Sequence, residues 1–298
     1  MLRVLITGSS GMLGKDVFVR FSKAGFRVFG VDQVKSLLLP EESQIIGDIT
    51  DNEFVSLVLK KVNPHIIIHC AAIVNLNACE ENHDLAFSLH VEATKNLAQY
   101  KAGGTKVIYI STDSVFDGKK GNYAETDMPN PLNYYAKSKL EGENAAKLNP
   151  NYIVVRTNIF GFNIPLRNSL AEWAIKNFES SNNISGFDDV IFNAIYTKHL
   201  AGILVEAVNL DIKGTINIAS GDYVSKYDFL QYMACKFKFA KEKIGKTLMK
   251  DLDFEITRPL NTTLNINKAK KYFSIPSIFE GIDQLYIDYT KTKENENN

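Results

Sequence analysis

Short apolar runs rich in β-branched residues recur along the chain, at Leu2 to Ile6, Arg27 to Val31, Ile66 to Cys70, Val107 to Ser111, Tyr152 to Arg156 and Thr215 to Ala219. A run without polar interruption offers no face to water, so each suits a strand covered on both sides, as in a parallel sheet. Between the runs, apolar residues recur with helical period, most clearly at Met12 to Lys23, Asp51 to Val62, Ala86 to Lys101, Tyr134 to Lys147 and Lys198 to Asn209. Strand and helix alternate, which predicts an α/β fold with right-handed crossovers and a doubly wound parallel sheet. After Arg156 the alternation weakens into helical segments at Asn168 to Phe178, Ser225 to Phe239 and Ser277 to Tyr289. The expectation is a main domain over 1–157, rejoined near 190–220, a smaller C-terminal lobe from 158–189 and 221–290, and a polar tail over 291–298 that frays.

The 298 residues and 45% hydrophobic content suffice for a large core and a companion lobe. Charge acts by exclusion: 34 basic residues balance 34 acidic ones, so no positive field collects nucleic acid or an anionic membrane. No apolar stretch approaches the roughly 20 residues of a membrane helix, and the first strand meets a glycine turn before a signal core fits. Three scattered cysteines and five scattered histidines form no metal or disulfide set. A cytoplasmic protein is expected, with no metal and no nucleic-acid or membrane partner. Cys70 and Cys235 are expected as buried small hydrophobes, and Cys79 in a polar loop or helix start.

The first strand runs into Thr7-Gly8-Ser9-Ser10-Gly11-Met12-Leu13-Gly14, a glycine turn that opens an amphipathic helix. A helix N-terminus presents unpaired amides and a partial positive charge, so a pyrophosphate can sit there when no β-carbon blocks it. Gly8 and Gly11 give that access, Gly14 lets helix and strand approach, and Ser10, Met12 and Leu13 carry amides of the turn. Asp32 ends the second strand, where a carboxylate meets the adenosine ribose hydroxyls. The fold is therefore read as Rossmann-type with a bound nicotinamide dinucleotide, NADH or NADPH, with a slight preference for NAD because Asp32 repels a 2′-phosphate. Lys35 is near enough in sequence to soften that preference. Asp48 and Ile49 follow a third short strand, where Asp48 either meets the adenine or caps the helix starting near Asp51.

Tyr135 and Lys139 stand four residues apart on one helix face. A free phenol has a pKa of about 10, and a nearby ammonium brings it into working range for proton transfer. Lys139 can supply that charge and also hold the nicotinamide ribose; the alternative is a surface Tyr stacked on a Lys stem. Tyr134 has Ser138 as its partner one turn on, so packing or substrate contact is expected of it. Upstream, a strand ends in Ser111-Thr112-Asp113-Ser114-Val115-Phe116-Asp117-Gly118, and ligand groups in open α/β sheets gather at such ends. Thr112 can donate to the carbonyl oxygen that Tyr135 protonates, with Asp113 beside it; otherwise these residues cap the turn.

These pieces resemble the extended short-chain dehydrogenase/reductase family, and within it the dTDP-4-dehydrorhamnose reductase group. The likeness covers most of the chain. It is carried by the glycine turn, Ala71-Ala72 after the Ile66 to Cys70 strand, the Ser111 to Gly118 segment, and Asn130-Pro131-Leu132-Asn133-Tyr134-Tyr135-Ala136-Lys137-Ser138-Lys139. The resemblance implies Tyr135 as proton donor, Lys139 as its activator and cofactor clamp, and Thr112 as the third member. It implies hydride delivery to the C4 keto group of a nucleotide-linked 6-deoxysugar and a possible homodimer. It also implies that the Ala71 to Asn75 loop, with Ala72, lines the nicotinamide, that Asn158 and Phe192 to Tyr196 face the sugar nucleotide, and that Arg258 pairs with its diphosphate. His69-Cys70 and Ile73-Val74-Asn75-Leu76-Asn77 depart from that group's pattern on the pocket side.

Two other readings stand beside it. A sugar-nucleotide dehydratase or epimerase shares the Tyr-Lys pair, but Ser114 occupies the place where a dehydratase would need a second carboxylate. A non-catalytic NAD(P)-binding regulator is the other, since the β subunit of methionine adenosyltransferase is similar to this reductase group. An exposed apolar face on the helix from Ile278 to Tyr289 would favour the regulator.

Overall fold

The computed structural model describes residues 1–163 and 165–296. The apolar runs become strands β1 (Arg3–Thr7), β2 (Arg27–Asp32), β3 (Gln44–Ile46), β4 (Ile66–His69), β5 (Lys106–Thr112) and β6 (Tyr152–Thr157), together with the strand Gly214–Asn217. They form one seven-stranded sheet in the order Gly214–Asn217, β6, β5, β4, β1, β2, β3, with every pairing parallel. The helices are α1 (Met12–Lys23), α2 (Asn52–Val62), α3 (Leu76–Glu81), α4 (His83–Phe87), α5 (Ala93–Gln99), α6 (Tyr134–Ala146), α7 (Leu170–Glu179), α8 (Thr197–Asn209), α9 (Lys226–Lys236) and α10 (Ile278–Glu296). This is the doubly wound, Rossmann-type α/β fold that the alternation predicted.

Strand β1 shows why the runs lack polar interruption. Val4 and Ile6 pack against Val17 and Phe21 of α1 and Leu204 of α8 on one face. Leu5, between them, packs with Val55 and Val58 of α2 and Leu97 of α5 on the other. Chain order reverses between β1 and β4, so the loops after those strands splay apart and leave a crevice at their carboxyl ends.

A second core lies after residue 158. Phe160, Phe162, Ile175, Phe192 and Ile244 pack with Phe229, Leu230 and Met233 of α9 and Ile278, Ile282 and Leu285 of α10. Phe229 is its hub, with ring centroids 5.2 Å from Phe160 and 5.5 Å from Phe192. Short ladders tie the lobe together, Ile184–Phe187 with Ile244–Thr247 and Ile191–Phe192 with Val224–Ser225.

Local expectations needed adjustment in four places. The segment Ala86 to Lys101 is not one regular helix: a π turn over Ser88–Glu92 separates α4 from α5. The cap of α2 is Asp51, whose carboxylate accepts from Glu53 N and Phe54 N at 2.8 and 3.2 Å, and not Asp48. Cys235 is exposed, because α9 buries Phe229, Leu230, Met233 and Ala234 and turns the next residue outward. Helix α10 continues past residue 290, where fraying was expected, and hydroxyls of Thr290 and Thr292 bond back to the carbonyls of Tyr286 and Asp288. Residues 297–298 of that expected tail lie outside the described residues.

Phe229→Ala is expected to destabilise the protein by about 3–5 kcal/mol, the usual cost of emptying a fully buried aromatic site. Urea unfolding followed by circular dichroism measures it, and a loss below about 1 kcal/mol would mean that the lobe does not depend on this ring.

Candidate active site

Gly8 adopts φ +68°, and a β-carbon there would stand 2.7 Å from the backbone of Ala71. One on Gly14 would stand 2.0 Å from the Gly8 carbonyl oxygen. The turn is thus closed by backbone against backbone, bringing Ala71 and Ala72 alongside the crevice. Helix α1 starts at Gly11 with no side-chain cap and no acidic residue in its first turn. Its amides at Met12 and Leu13 remain for an anion, so the turn fits a pyrophosphate. Asp32 is joined to this cradle: one carboxylate oxygen accepts from Ser10 N and Oγ at 2.9 and 2.8 Å, the other from Gln33 N at 2.8 Å. Lys35, the nearby cation, is held by Glu41 at 2.7 Å. Asp48 is exposed and bonds Thr50 N and Oγ1, both at 2.8 Å, while the neighbouring Ile49 is buried in the core beneath α2.

On the opposite side of the crevice, α6 presents Tyr135 and Lys139 one turn apart. Asn133 caps that helix by accepting from Ala136 N at 3.0 Å. The Lys139 ammonium is buried, donates to the Ile110 carbonyl at 2.7 Å, and lies 4.2 Å from the centre of the Tyr109 ring. Burial drives its pKa down to about 7, against the pull of Glu143. Burial likewise pushes the Tyr135 phenol up to about 12, opposed by the Thr112 hydroxyl beside it. Burial therefore outweighs the Thr112 hydroxyl, and Tyr135 holds its proton. Thr112 donates to Asp113 at 3.1 Å and accepts from Ser114 N at 3.1 Å, so its proton must turn from Asp113 to reach a ligand.

Asp113 and Asn158 are brought together at 2.7 Å, and Thr262 also donates to the Asp113 carboxylate. Burial raises the Asp113 pKa, while bonds from Thr262, Asn158, Thr112 and Ser114 hold it back. Arg258 is half-buried over the Phe254 ring at 4.4 Å, and its Nε is buried without a partner. Lys226 at the start of α9 joins this group: burial lowers its pKa, the Arg258 charge beside it adds to the shift, and Asp113 opposes it. Lys226 and Arg258 thus stand near enough to repel each other, a concentration of positive charge suited to an anion. Asn75 goes elsewhere, exposed and capping α3 through Ala78 N at 3.1 Å. All five residues of the Phe192 to Tyr196 segment are buried, and Asn193 bonds both backbone groups of Leu264. Tyr134 packs, its ring stacked on His83 at 3.6 Å.

Sequence reasoning did not find Lys226 or Thr262, which come from distant segments. It also passed over Glu143, whose carboxylate takes Arg156 bidentately at 2.9 and 2.8 Å and Ser111 at 2.6 Å. The signal for Glu143 was present, because it continues the Tyr135 and Lys139 face by one more turn.

A family model described as RmlD substrate binding domain matches residues 2–286. The chain is 32% identical over 282 residues to the methionine adenosyltransferase 2 subunit beta of Bos taurus, spanning 90% of this chain and 81% of that protein. It is 27% identical over 271 residues to a probable low-salt glycan biosynthesis reductase of Haloferax volcanii, spanning 89% of this chain and 90% of that protein. Among solved structures, the dTDP-4-dehydrorhamnose reductase of Bacillus anthracis in complex with NADP matches with a TM-score of 0.84 and 27% identity, over 97% of this chain and 99% of that one. No described helix is long and apolar enough to cross a membrane.

Gly14→Ala is expected to weaken dinucleotide binding at least about tenfold, since the new methyl must push the turn off α1 and misplace its amides; titration of NADH fluorescence checks it, and unchanged affinity would place the dinucleotide elsewhere. Lys139 makes a pH prediction. Its folded pKa of about 7 lies below the ordinary 10.5, so between those values the unfolded chain binds more protons and stability from this group rises with pH. Lys139→Met removes the effect. Its stability relative to wild type is expected to be most favourable at pH 6 and to decline toward pH 10 in urea titrations; a pH-independent difference would contradict the assignment.

Proposed function

The chain belongs to the RmlD substrate binding domain family of extended short-chain dehydrogenase/reductases, and from that premise we propose that it reduces the 4-keto group of a nucleotide-linked 6-deoxysugar with NADH or NADPH. The observation that carries this reading is the half-buried Tyr135 phenol beside the Thr112 hydroxyl, one helical turn from the buried Lys139. A reduced nicotinamide, when bound, supplies the hydride to the carbonyl carbon. Tyr135 donates its proton to the carbonyl oxygen, so the C=O bond becomes CH–OH, and its high pKa keeps that proton in place until the oxygen becomes basic. Lys139, as the ammonium, stabilises the phenolate left behind and is placed to hold the nicotinamide ribose. The Thr112 hydroxyl, turned from Asp113, completes the donor set around the oxygen.

On the substrate side, Arg258 and Lys226 suit the diphosphate, and Asp113 with Asn158 offers polar contacts to the sugar. Ala71, Ala72, Asp48 and Ile49 would border the nicotinamide and adenine ends of the cofactor. A preference for NADH is supported by Asp32, fixed by Ser10 where a 2′-phosphate would sit, and by the pairing of Lys35 with Glu41.

The curated relative at 32% identity favours a second reading, a dinucleotide-binding regulatory subunit. The apolar face of α10 does not add to it: Ile278, Ile282 and Leu285 are fully buried in the lobe. The test is oxidation of NADH and NADPH by the purified protein with dTDP-4-dehydrorhamnose and related 4-keto sugar nucleotides. Turnover that requires the sugar, is faster with NADH, and falls at least about 100-fold in Tyr135→Phe with dinucleotide affinity unchanged is the expected outcome. Binding without turnover on any such sugar would move the assignment to the regulatory reading.

A further inference from the structure

The π turn of Ser88–Glu92 has His90 at its centre, and the ring is completely buried. A π turn inserts a residue into a helix and re-aims its side chain, and it persists where the re-aimed group is used. The His90 Nε2 accepts from Ile73 N at 3.0 Å, so Nε2 carries no proton. The proton is then on Nδ1, which faces Ser138 Oγ at 2.8 Å. Ser138 spends its own proton on the Tyr135 carbonyl at 3.0 Å and accepts from His90. One tautomer satisfies every member, and the direction of each bond is fixed from Ile73 through His90 and Ser138 to Tyr135. The His90 ring also meets the Tyr135 ring edge-on, with centroids 6.0 Å apart.

The two ends of this chain matter. Ile73 follows Ala71, whose backbone rests against Gly8 of the glycine turn. Tyr135 and Ser138 are on the catalytic helix α6. Resting on the reductase reading, we propose that His90 is a positioning residue, a neutral clamp that fixes the cofactor-side segment at Ala71–Ile73 against the helix carrying Tyr135 and Lys139. It touches none of the reacting atoms; it sets the gap in which they meet. Protonation would turn Nε2 into a second donor facing Ile73 N–H, and the surroundings oppose it. Lys139 and Tyr135 face the ring from α6 and His69 from β4, while the Cys79 thiol of α3 donates to the Ile73 carbonyl at 3.5 Å. Burial, with Lys139 and His69, drives the His90 pKa down to about 2.

Nitrogen-15 spectra of the histidine-labelled, cofactor-free protein test the clamp without any substrate. The expected result is a His90 ring in the Nδ1–H tautomer that does not titrate between about pH 5 and 8; an Nε2–H tautomer, or titration in that range, would overturn the proposal. Kinetics test its role. His90→Phe keeps a ring but loses both nitrogens, and kcat is expected to fall at least about tenfold at saturating NADH and sugar, with partial recovery in His90→Gln, which can still donate and accept. A folded His90→Phe protein with lowered thermal stability but wild-type kcat would reduce His90 to a packing residue and sink the idea. Should His90→Phe fail to fold, His90→Gln decides by the same kcat comparison. If wild type turns over no 4-keto sugar nucleotide, the reductase reading fails, while the tautomer result still decides whether the clamp exists.

Discussion

Holding an ammonium out of water is unfavourable unless polar partners replace the lost hydration, and the site is arranged around this requirement at Lys139. The Ile110 carbonyl and the face of Tyr109, both on β5, receive the charge directly. Glu143, one turn further along α6, adds a buried carboxylate, which is itself neutralised by Arg156 of β6 and bonded by Ser111 of β5. Two strands and one helix are thereby locked in register by charge. The same packing that keeps Lys139 near neutrality keeps Tyr135 protonated, so a bound cofactor meets a site whose proton has not been lost to solvent.

The crevice follows from topology. Because the strands are parallel, the glycine turn, the Ala71 segment and the ends of β5 and β6 all open on one edge of the sheet, and the reversal of chain order between β1 and β4 parts the loops there. Asp113 closes the far side by joining Asn158, just beyond β6, to Thr262 from the lobe segment. A buried carboxylate surrounded by neutral donors resists displacement, since losing any one bond leaves polar atoms unsatisfied. The groups proposed for the substrate and for proton transfer are therefore set by one network. His90 extends the same logic to the cofactor side.

Local chemistry was legible where sequence spacing alone sets geometry. Residues four apart on a helix share a face whatever the surroundings, so Tyr135 with Lys139 could be read directly. A glycine turn between a buried strand and a helix has few backbone solutions, and Gly8, Gly11 and Gly14 occupy the positions expected of them. Capping was less legible. Asn75 was expected at the site and Asp51 stands beside Asp48, but each is used by the nearest helix start, and nothing local distinguishes a cap from a ligand contact. Cys235 misled because a residue at the margin of an amphipathic face is decided by the exact rotation of α9 against α10.

The sequence by itself determined the α/β order, the parallel sheet, the glycine cradle with Asp32, and the Tyr135-Lys139 pair, because each is written in a period or a spacing of a few residues. Only the tertiary structure decided that Thr262 bonds Asp113 across 149 residues, that Lys226 and Arg258 share one environment, and that Phe192 to Tyr196 is buried throughout. It also decided that burial raises the phenol when a neighbouring cation alone would lower it. Contacts between distant segments, and the solvent they exclude, depend on how the lobes pack, and no local pattern carries that information.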